Sequence, residues 1–575
     1  MTYTEEFQRW LSSPALTEEE RNELESIRDD EKEIQSRFYT PLAFGTAGLR
    51  GVMATGLHNM NVYVVRQVTQ GIAELLISEG LQEKGAAISF DCRHNSERFA
   101  REAACVLAAN GVKVYIFDGM RPTPQLSFAI RHLGCAAGIN ITASHNPPEY
   151  NGYKAYWSDG AQLPPKQAAI VEEAVSRIDI FDGAKLMDFD LAVEKGLIRI
   201  LGKEMDEAFL ERVLSQSIDT EPLQRVRDKY RIVYTPFHGV GYRMVPEALR
   251  RIGCTNIICV PEQMEPDGDF PTVASPNPET PGGFELAIKH ARQHKAHLII
   301  GTDPDADRVA IVAPNGEGEY VQLSGNQTAV LLLDYIITAR KRRGMMPDNP
   351  FTVKSIVSTE MARAVSEGNG IPIHDTFTGF KFIAEKIAEQ EKQGNNCIFS
   401  FEESIGYLIG DHCRDKDAVT ASMLLAEMCA YYVDKGMTLF EALQALYDKY
   451  GFYKDETVNI VMPGLDGLTK MKGLMEDLRR GAKEFPDALD LVMVTDYLDG
   501  TCRDLKTGAV KNAEISGSDV LGFHFEGGSK LLVRPSGTEP KIKFYMLAHG
   551  STDEETARFL DSMREFVSYA VKDYQ

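Results

Sequence analysis

The strongest constraint on the fold is a repeated alternation of helical and strand-forming sequence. From about residue 62, the helical stretch VVRQVTQGIAELLISEG precedes GAAISFD, a short apolar strand, and ERFAREAACVLAANG is helical again. The strand-forming stretches VKVYIFD and CAAGINI then flank a helix that opens at Thr123 and Pro124. Helices that alternate with strands in this way are typical of a parallel, doubly wound α/β sheet.

This layout restarts twice and is followed by a different tail. A second unit begins at YRIVYTPFHGVG and a third near residue 323, whereas LGFHFEGGSKLLVRPSGTEPKIKFYMLA predicts antiparallel strands before a final helix. A chain of 575 residues is too long for one hydrophobic core. We therefore predict three doubly wound α/β domains plus a smaller C-terminal α+β domain around a central cleft, with the ranges 1–215, 216–322, 323–450 and 451–575. Residues 1–40 are predicted to be helical, with Thr17 and Glu20 forming a capping box.

Charge and cysteine usage limit the partners and the compartment. The net charge of −22 would repel nucleic acid and anionic membrane surfaces, so an anionic metabolite needs a locally basic pocket. The nine cysteines are scattered without a CxxC pair, which suits a reducing compartment. The N-terminus lacks an apolar signal core and no long apolar run is present. We expect a soluble cytoplasmic protein.

Three polar loops follow predicted strands, which is where α/β sheets bind ligands. DPDADR supplies Asp303, Asp305 and Asp307, and carboxylates so close together repel unless a cation such as Mg²⁺ or Ca²⁺ binds them. An EF-hand is excluded because Arg308 and Pro314 occupy its glycine and glutamate positions. One alternative is a plain acidic turn. Another is the metal site of a haloacid-dehalogenase-like phosphatase, but that interpretation gives no role to Ser144 in the loop described next.

The second of these loops, TASHNP, carries Ser144 and His145 after CAAGINI. Side chains of neighbouring residues on an extended backbone point to opposite faces, so Ser144 and His145 are not a catalytic pair by their adjacency. The Asn-Pro-Pro and Asn-Gly steps that follow are also consistent with a plain turn.

The third loop, FEESIGY, places Glu402, Glu403 and Ser404 at a strand end, where paired acids and a serine suit the vicinal hydroxyls of a sugar. A solvated loop is the alternative. Further candidates are Arg50 in the glycine-rich FGTAGLRG, Lys416 in RDKDA, and Thr378, Gly379 and Lys381 in FTGFKFI.

A basic loop in the tail, RPSGTEPK, offers the phosphate site that the acidic composition requires. Arg534 can grip a phosphate with two hydrogen bonds, the hydroxyls of Ser536 and Thr538 can donate, and Gly537 lets backbone N–H groups approach. It is not a Walker loop, and a simple hairpin turn is the alternative.

The order and spacing of TASHNP, DPDADR, EES and RPSGTEP resemble those of the phosphoglucomutases of the α-D-phosphohexomutase superfamily, over essentially the whole chain. The resemblance implies that Ser144 carries a phosphoryl group and binds Mg²⁺ together with Asp303, Asp305 and Asp307. It also implies a role in proton transfer for Lys154 and Lys416, and active-site contacts for Arg50 and His145. The substrate-binding residues it implies are Thr378, Gly379, Lys381, Glu402, Ser404, Arg534, Ser536, Gly537 and Thr538.

The activity implied by this resemblance is interconversion of glucose 1-phosphate and glucose 6-phosphate, primed by glucose 1,6-bisphosphate. FGTAGLRG and the chain length resemble the branch that includes phosphopentomutases, so ribose or deoxyribose 1-phosphate is an alternative substrate. A non-catalytic sugar-phosphate-binding regulator is the alternative of another class. We expect a small sugar phosphate as partner, no nucleic acid or membrane, and a monomer or weak dimer.

Overall fold

The structure is a computed structural model that describes residues 2–45, 48–462, 466–536 and 541–574. The chain divides into two compact units, Met1–Leu323 with Gly406–Gly436, and Ser324–Ile405 with Met437–Gln575. The four domain ranges predicted from the sequence remain a prediction.

The N-terminal segment forms three short helices instead of one. These are α1 (Tyr3–Ser12), α2 (Glu18–Ser26) and α3 (Glu31–Phe38). The predicted capping box of Thr17 and Glu20 starts α2 and is confirmed. Trp10 is fully buried and packs edge-on against Phe38 and Tyr63, which attaches the segment to the first sheet layer.

The first sheet carries the TASHNP loop. Its strands are β1 (Leu49–Val52), β2 (Ala86–Phe90), β3 (Val114–Phe117), β4 (Ala137–Ile141), β5 (Tyr150–Trp157) and β6 (Ile198–Leu201), in the order β1-β5-β4-β2-β3-β6. The helices that accompany them are α4 (Val62–Ser78), α5 (Ser96–Ala109), α6 (Thr123–Leu133), α7 (Pro165–Arg177), α8 (Phe189–Glu194) and α9 (Lys203–Leu214).

This sheet is mixed: the predicted parallel pairing is found for four strands and does not extend to one edge. Strands β2, β3, β4 and β6 pair in parallel, whereas β5 pairs antiparallel with both of its neighbours, β4 and β1. The physical reason is that β4 and β5 are joined by the short loop 142–149, and only antiparallel neighbours can be joined without a long crossover.

The second sheet shows the same arrangement around the DPDADR loop. Its strands are β7 (Ile232–Thr235), β8 (Ile257–Cys259), β9 (Leu298–Thr302), β10 (Val309–Pro314) and β11 (Tyr320–Gln322), in the order β11-β10-β9-β7-β8. Only β7, β8 and β9 are parallel, because the short loop 303–308 turns the chain directly from β9 into β10. The helices are α10 (Glu221–Val226), α11 (Gly241–Arg251), α12 (Pro261–Met264) and α13 (Glu285–His294).

The second unit begins with a parallel sheet, as predicted. Its elements are α14 (Gly325–Arg343), β12 (Pro350–Ser355), α15 (Met361–Gly368), β13 (Ile373–Thr376), α16 (Phe380–Glu391) and β14 (Asn396–Glu402). Strand β12 pairs in parallel with both β13 and β14. The chain then returns to the first unit as β15 (Gly406–Leu408) and the almost wholly buried α17 (Ala418–Asp434), which packs against α10 and α11.

The tail is antiparallel, which confirms the prediction of a smaller α+β domain. After α18 (Leu439–Tyr450) it contains β16 (Phe452–Val461), α19 (Gly467–Arg479), β17 (Leu491–Asp496), β18 (Thr501–Asp504), β19 (Val510–Asn512), β20 (Leu521–Phe525), β21 (Lys530–Pro535), β22 (Lys541–Gly550) and α20 (Asp553–Val571). The strand order is β16-β22-β21-β20-β17-β18-β19, and Met563 and Phe566 of α20 belong to the core over this sheet. None of the helices in the described residues is both long and apolar enough to cross a membrane.

Candidate active site

Ser144 lies in a strained turn between β4 and β5. Its φ of 52° is in the left-handed region, and only 3% of the residue is exposed. The backbone N–H donates to Thr142 Oγ1 at 2.9 Å, and Oγ donates to Asp303 Oδ2 at 3.0 Å. A buried non-glycine residue held in this conformation is often found at a functional site. The turn therefore presents the Ser144 hydroxyl directly to the DPDADR loop.

His145 contacts the same hydroxyl, contrary to the argument from an extended backbone. Its Nδ1 lies 3.3 Å from Ser144 Oγ, because the left-handed conformation of Ser144 turns both side chains to one side. Desolvation and the charges of Arg308 and Arg50 lower the pKa of His145 to about 2. The imidazole is therefore neutral at ordinary pH and interacts with Ser144 as a neutral hydrogen-bonding group.

Arg93 fixes the shape of the Ser144 turn. Its fully buried guanidinium donates to the Ser144 carbonyl at 2.7 Å and to the carbonyls of Asn146, Pro147 and Tyr150. A planar guanidinium has five N–H donors in a fixed fork, so it can satisfy several carbonyls only in one arrangement. One side chain thus holds the backbone from the serine to the start of β5.

Replacing Arg93 by lysine should lower both stability and activity, because an ammonium keeps the charge but cannot reproduce the fork. We expect a loss of about 2–4 kcal/mol in the free energy of unfolding and a fall of at least about tenfold in kcat, because Ser144 loses its position. Chemical denaturation and a mutase assay measure the two effects. The matched control is Arg98→Lys, at an exposed arginine of α5. An Arg93→Lys variant as stable and as active as the wild type would contradict this role.

The three aspartates form one buried cluster. Asp303, Asp305 and Asp307 are each at most 2% exposed, and they offer ligand atoms that lie within 4.8 Å of one another. Ala306, between two of them, has a φ of 53°, which folds the loop tightly enough to bring alternate side chains together. The sequence prediction that these carboxylates converge is confirmed.

The hydrogen bonds of the cluster divide its carboxylate oxygens into two groups. Asp303 Oδ1 accepts the backbone N–H groups of Asp307 and Arg308, while Asp305 Oδ2 accepts from Lys154 Nζ at 2.7 Å. Asp305 Oδ1 and Asp307 Oδ1, in contrast, are buried and accept no hydrogen bond from the residues that the structure describes.

These unsatisfied oxygens fit a divalent cation. A buried carboxylate oxygen without a donor costs free energy, and Mg²⁺ prefers several oxygen ligands of this kind. The Ser144 hydroxyl, within hydrogen-bond distance of Asp303, adds an oxygen to the same place. Burial raises the pKa of Asp303 well above its usual range, and the charges of Asp305 and Asp307 add to that effect. A cation bound here would relieve this repulsion.

Two lysines already compensate part of the negative charge. Lys154 on β5 contacts Asp305 at 2.7 Å and Asp307 at 3.4 Å, and Lys416 contacts Asp307 at 3.2 Å. Burial alone would lower the pKa of Lys154, but the charges of Asp305 and Asp307 raise it. Gly406 makes room for Lys416, because a Cβ there would lie 2.2 Å from the lysine Cδ.

Arg50 contacts the other side of the Ser144 loop. It lies on β1 and donates from Nη1 to Asn146 Oδ1 at 3.0 Å. The structure therefore brings Arg50, His145, Lys154 and Lys416 to the Ser144 loop and the aspartate cluster, and their roles stay predictions.

The second unit contains the FEESIGY candidates. Glu402 ends β14, and its Oε1 accepts the backbone N–H of Gly379 at 2.7 Å, so the FEES and FTGFKFI motifs are neighbours. Ser355 Oγ donates to Glu403 Oε2 at 3.0 Å. Burial and the charge of Glu402 raise the pKa of Glu403 to about 7.

The basic candidates of the second unit lie around the start of α16. Lys381 is in its first turn, just after Thr378 and Gly379, and burial together with the charge of Arg534 lowers the Lys381 pKa. Arg534 is on β21, and Ser536 donates its backbone N–H to the Lys541 carbonyl at 2.7 Å, closing the hairpin. Gly537 and Thr538 lie outside the described residues. Ser404 follows β14 and is partly exposed.

Sequence reasoning missed the residues that hold these groups in place. Arg93 clamps the Ser144 turn, and Thr123, predicted only as the start of a helix, donates its hydroxyl to Asp305. The one available signal for Arg93 was its place in DCR, directly after β2, where a polar loop leaves the sheet.

Comparison with known families assigns most of the chain. Models of the phosphoglucomutase/phosphomannomutase α/β/α domains I, II and III match residues 41–180, 207–316 and 324–450, and the model of the C-terminal domain matches residues 467–566. The chain belongs to the phosphoglucomutase/phosphomannomutase family. This membership places it in the α-D-phosphohexomutase superfamily, as the motifs predicted, and makes it a mutase, an isomerase built from three α/β domains and a C-terminal domain.

Individual relatives agree with the family. The chain is 35% identical to a phosphoglucomutase of Staphylococcus saprophyticus, covering 92% of this chain and 94% of that one. It is 33% identical to a phosphoglucomutase of Staphylococcus haemolyticus, covering 91% and 93%. Among solved structures, a putative phosphomannomutase from Thermus thermophilus shares the fold with a TM-score of 0.68 at 24% identity, over 92% of this chain and 99% of that one.

Proposed function

We propose that this phosphohexomutase is a phosphoglucomutase that interconverts glucose 1-phosphate and glucose 6-phosphate through phosphorylated Ser144. The observation that carries the proposal is the 3.0 Å contact between Ser144 Oγ and Asp303 Oδ2, within a cluster of three aspartates and two lysines. This geometry supports storage of a phosphoryl group on the serine beside a cation site. The intact serine and aspartates argue against a non-catalytic regulator.

The reaction transfers a phosphoryl group twice. The P–O bond to Ser144 breaks while a new bond forms to the free hydroxyl of the sugar monophosphate, which loses its proton and becomes glucose 1,6-bisphosphate. The other phosphate of this intermediate then returns to Ser144. A phosphoserine can therefore be primed by glucose 1,6-bisphosphate, and the enzyme is restored at each turnover.

Each group near Ser144 has a part in this transfer. Asp303, Asp305 and Asp307 would hold Mg²⁺, which supplies positive charge for the transferred phosphoryl group. Lys154, whose pKa is raised by the aspartates, remains charged and stabilises the phosphoryl oxygens. We assign proton release to the ammonium group of Lys154, proton uptake from the sugar hydroxyl to a neutral amino group of Lys416, and phosphate contacts to Arg50.

Loops of the second unit supply the candidates for binding the sugar and its non-reacting phosphate. Glu402 and Ser404 suit the sugar hydroxyls, because carboxylate and hydroxyl oxygens accept hydrogen bonds from them. Lys381 and Arg534 carry positive charge beside the start of α16, where backbone N–H groups also favour an anion. We assign the non-reacting phosphate to Arg534, Ser536, Gly537 and Thr538, with Thr378, Gly379 and Lys381 also contacting the substrate.

The sugar preference is tested by measuring kcat/KM for glucose 1-phosphate, mannose 1-phosphate and ribose 1-phosphate side by side. We expect glucose 1-phosphate to be preferred and ribose 1-phosphate to follow, because a hydroxyl-reading site leaves polar groups unpaired when a hydroxyl is missing. Glu402→Gln should lower kcat/KM for glucose about tenfold or more without changing the melting temperature by more than about 3 °C. Glu389→Gln, at an exposed glutamate of α16 that pairs with Lys386, is the control and should leave kcat/KM unchanged. A higher kcat/KM for ribose 1-phosphate would replace this assignment with a phosphopentomutase.

The proposal also includes the compartment, the oligomeric state and the partners of the enzyme. We propose a cytoplasmic enzyme, monomeric or weakly dimeric, whose partners are small sugar phosphates and neither nucleic acid nor membrane. The net charge of −22 supports the absence of nucleic-acid and membrane partners, since both of those surfaces are polyanionic.

A further inference from the structure

Thr123 makes two contacts with Asp305 that helix formation does not require. Helix α6 begins at this residue, with Pro122 at the N-cap and no side-chain cap hydrogen bond. The backbone N–H of Thr123 instead donates to the Asp305 carbonyl at 2.9 Å, and its hydroxyl donates to Asp305 Oδ2 at 2.9 Å. The start of the helix is thus connected to both the backbone and the carboxylate of the central aspartate.

Asn140 sets the direction of this hydrogen bond. It lies on β4, is 1% exposed, and its Nδ2 donates to Thr123 Oγ1 at 2.7 Å. An ionised carboxylate can only accept, so the single hydroxyl proton of Thr123 goes to Asp305, and the hydroxyl oxygen receives the amide hydrogen of Asn140. The three side chains form a relay with one polarity.

The relay determines which oxygen of Asp305 is available for a cation. Oδ2 receives two donors, the Thr123 hydroxyl and Lys154 Nζ at 2.7 Å, while Oδ1 is buried without a hydrogen-bond donor among the described residues. A carboxylate held at one oxygen by buried partners cannot rotate to exchange its two oxygens without breaking those bonds. Because Oδ2 of Asp305 is occupied by these two donors, Oδ1 is the oxygen that is left to bind a cation.

We propose that Thr123 and Asn140 are positioning residues of the metal site, which hold Asp305 so that Oδ1 is presented to the divalent cation. This rests on the proposed metal-assisted mutase function. Outer partners of metal-bound carboxylates commonly change metal affinity about 10–100-fold when they are removed. Neither residue contacts the substrate in this account, so the effect of each acts through Asp305.

The test is a calorimetric titration of the full-length protein with Mn²⁺, which measures the dissociation constant without turnover. Thr123→Val removes the hydroxyl and keeps the shape, and we expect the Mn²⁺ dissociation constant to rise about tenfold. Thr123→Ser should restore it to within about threefold of the wild type, because the hydroxyl is retained. Asn140→Ala, which leaves Thr123 in place, should raise it as well.

A matched control separates positioning from general destabilisation. Thr69→Val removes another buried threonine hydroxyl of the same unit, one that bonds Tyr153 and the Val65 carbonyl, and should leave Mn²⁺ affinity unchanged. In the mutase assay, Thr123→Val should need about tenfold more Mg²⁺ for half-maximal rate and recover most of kcat at saturation.

Three outcomes would overturn the proposal: an unchanged dissociation constant in Thr123→Val and Asn140→Ala, an equal rise in Thr69→Val, or no Mn²⁺ binding by the wild type. If the wild type bound Mn²⁺ but turned over no sugar phosphate, the proposed function would fall, and the titration would still decide the roles of Thr123 and Asn140.

Discussion

Ser144→Ala should lower kcat by about a thousandfold or more, a loss of at least about 4 kcal/mol of transition-state stabilisation. The reason is that the proposed reaction needs a side-chain oxygen at this position to carry the phosphoryl group. Among the residues that the structure describes, the buried turn places no other hydroxyl 3.0 Å from Asp303. Steady-state assays with glucose 1-phosphate and glucose 1,6-bisphosphate measure the loss.

The alanine variant should remain folded, because the hydroxyl bonds only Asp303 and His145 among the described residues, and Arg93 holds the turn through backbone carbonyls. Ser89→Ala is the matched control, since it removes a buried hydroxyl of β2 that donates to the Arg121 carbonyl. That variant should lose about 1 kcal/mol of stability and keep its rate. A Ser144→Ala enzyme with a kcat comparable to that of the wild type would contradict the proposal that Ser144 carries the phosphoryl group.

Asp305→Asn is the second change with a large expected effect. It removes one full charge from the proposed ligand set, and we expect the Mn²⁺ dissociation constant to rise about 100-fold or more, with mutase activity lost at millimolar Mg²⁺. Calorimetry and a Mg²⁺ titration of the rate measure the two effects. An excess of chelator should abolish the wild-type activity, and added Mg²⁺ should restore it.

The Asp305→Asn protein should still fold. Lys154 loses its 2.7 Å partner but keeps Asp307 at 3.4 Å, and the mutual repulsion of the three carboxylates is reduced. Asp118→Asn, which removes a half-exposed acid paired with Arg121, is the control for a change of charge in the same unit. An enzyme that is fully active in excess chelator would exclude a role for the metal.

The sequence was most informative where chemistry and local pattern coincide. Strand-forming stretches followed by polar loops correctly predicted where Ser144, the three aspartates and Glu402 would lie, because strand ends are readable from local hydrophobicity. The capping box at Thr17 is also a local feature and was predicted for the same reason. Strand direction was not readable, since parallel and antiparallel strands have the same side-chain period, and the antiparallel strands β5 and β10 were therefore not predicted.

Features that depend on distant residues or unusual dihedrals could not be predicted. The positive φ of Ser144 brings His145 to its hydroxyl, and the Ser144 carbonyl accepts a hydrogen bond from Arg93, a residue more than fifty positions earlier. Thr123 and Asp305 are likewise far apart in the sequence, and nothing in a helix start indicates a carboxylate partner. The packing of α17 in the first unit could not be predicted either. A helix that is buried on all sides has no polar face in its sequence to show which side packs against which element.

Following the phosphate on Ser144 tests directly whether this serine carries the phosphoryl group that reaches the sugar. The protein is phosphorylated with glucose 1,6-bisphosphate labelled in its phosphates, freed of excess ligand, digested and mapped by mass spectrometry, and a second portion is mixed with unlabelled glucose 1-phosphate. We expect about one labelled phosphate per chain, on Ser144, which passes to the sugar within a single turnover. Label on another residue, or label that stays on Ser144 while the sugar isomerises, would contradict it.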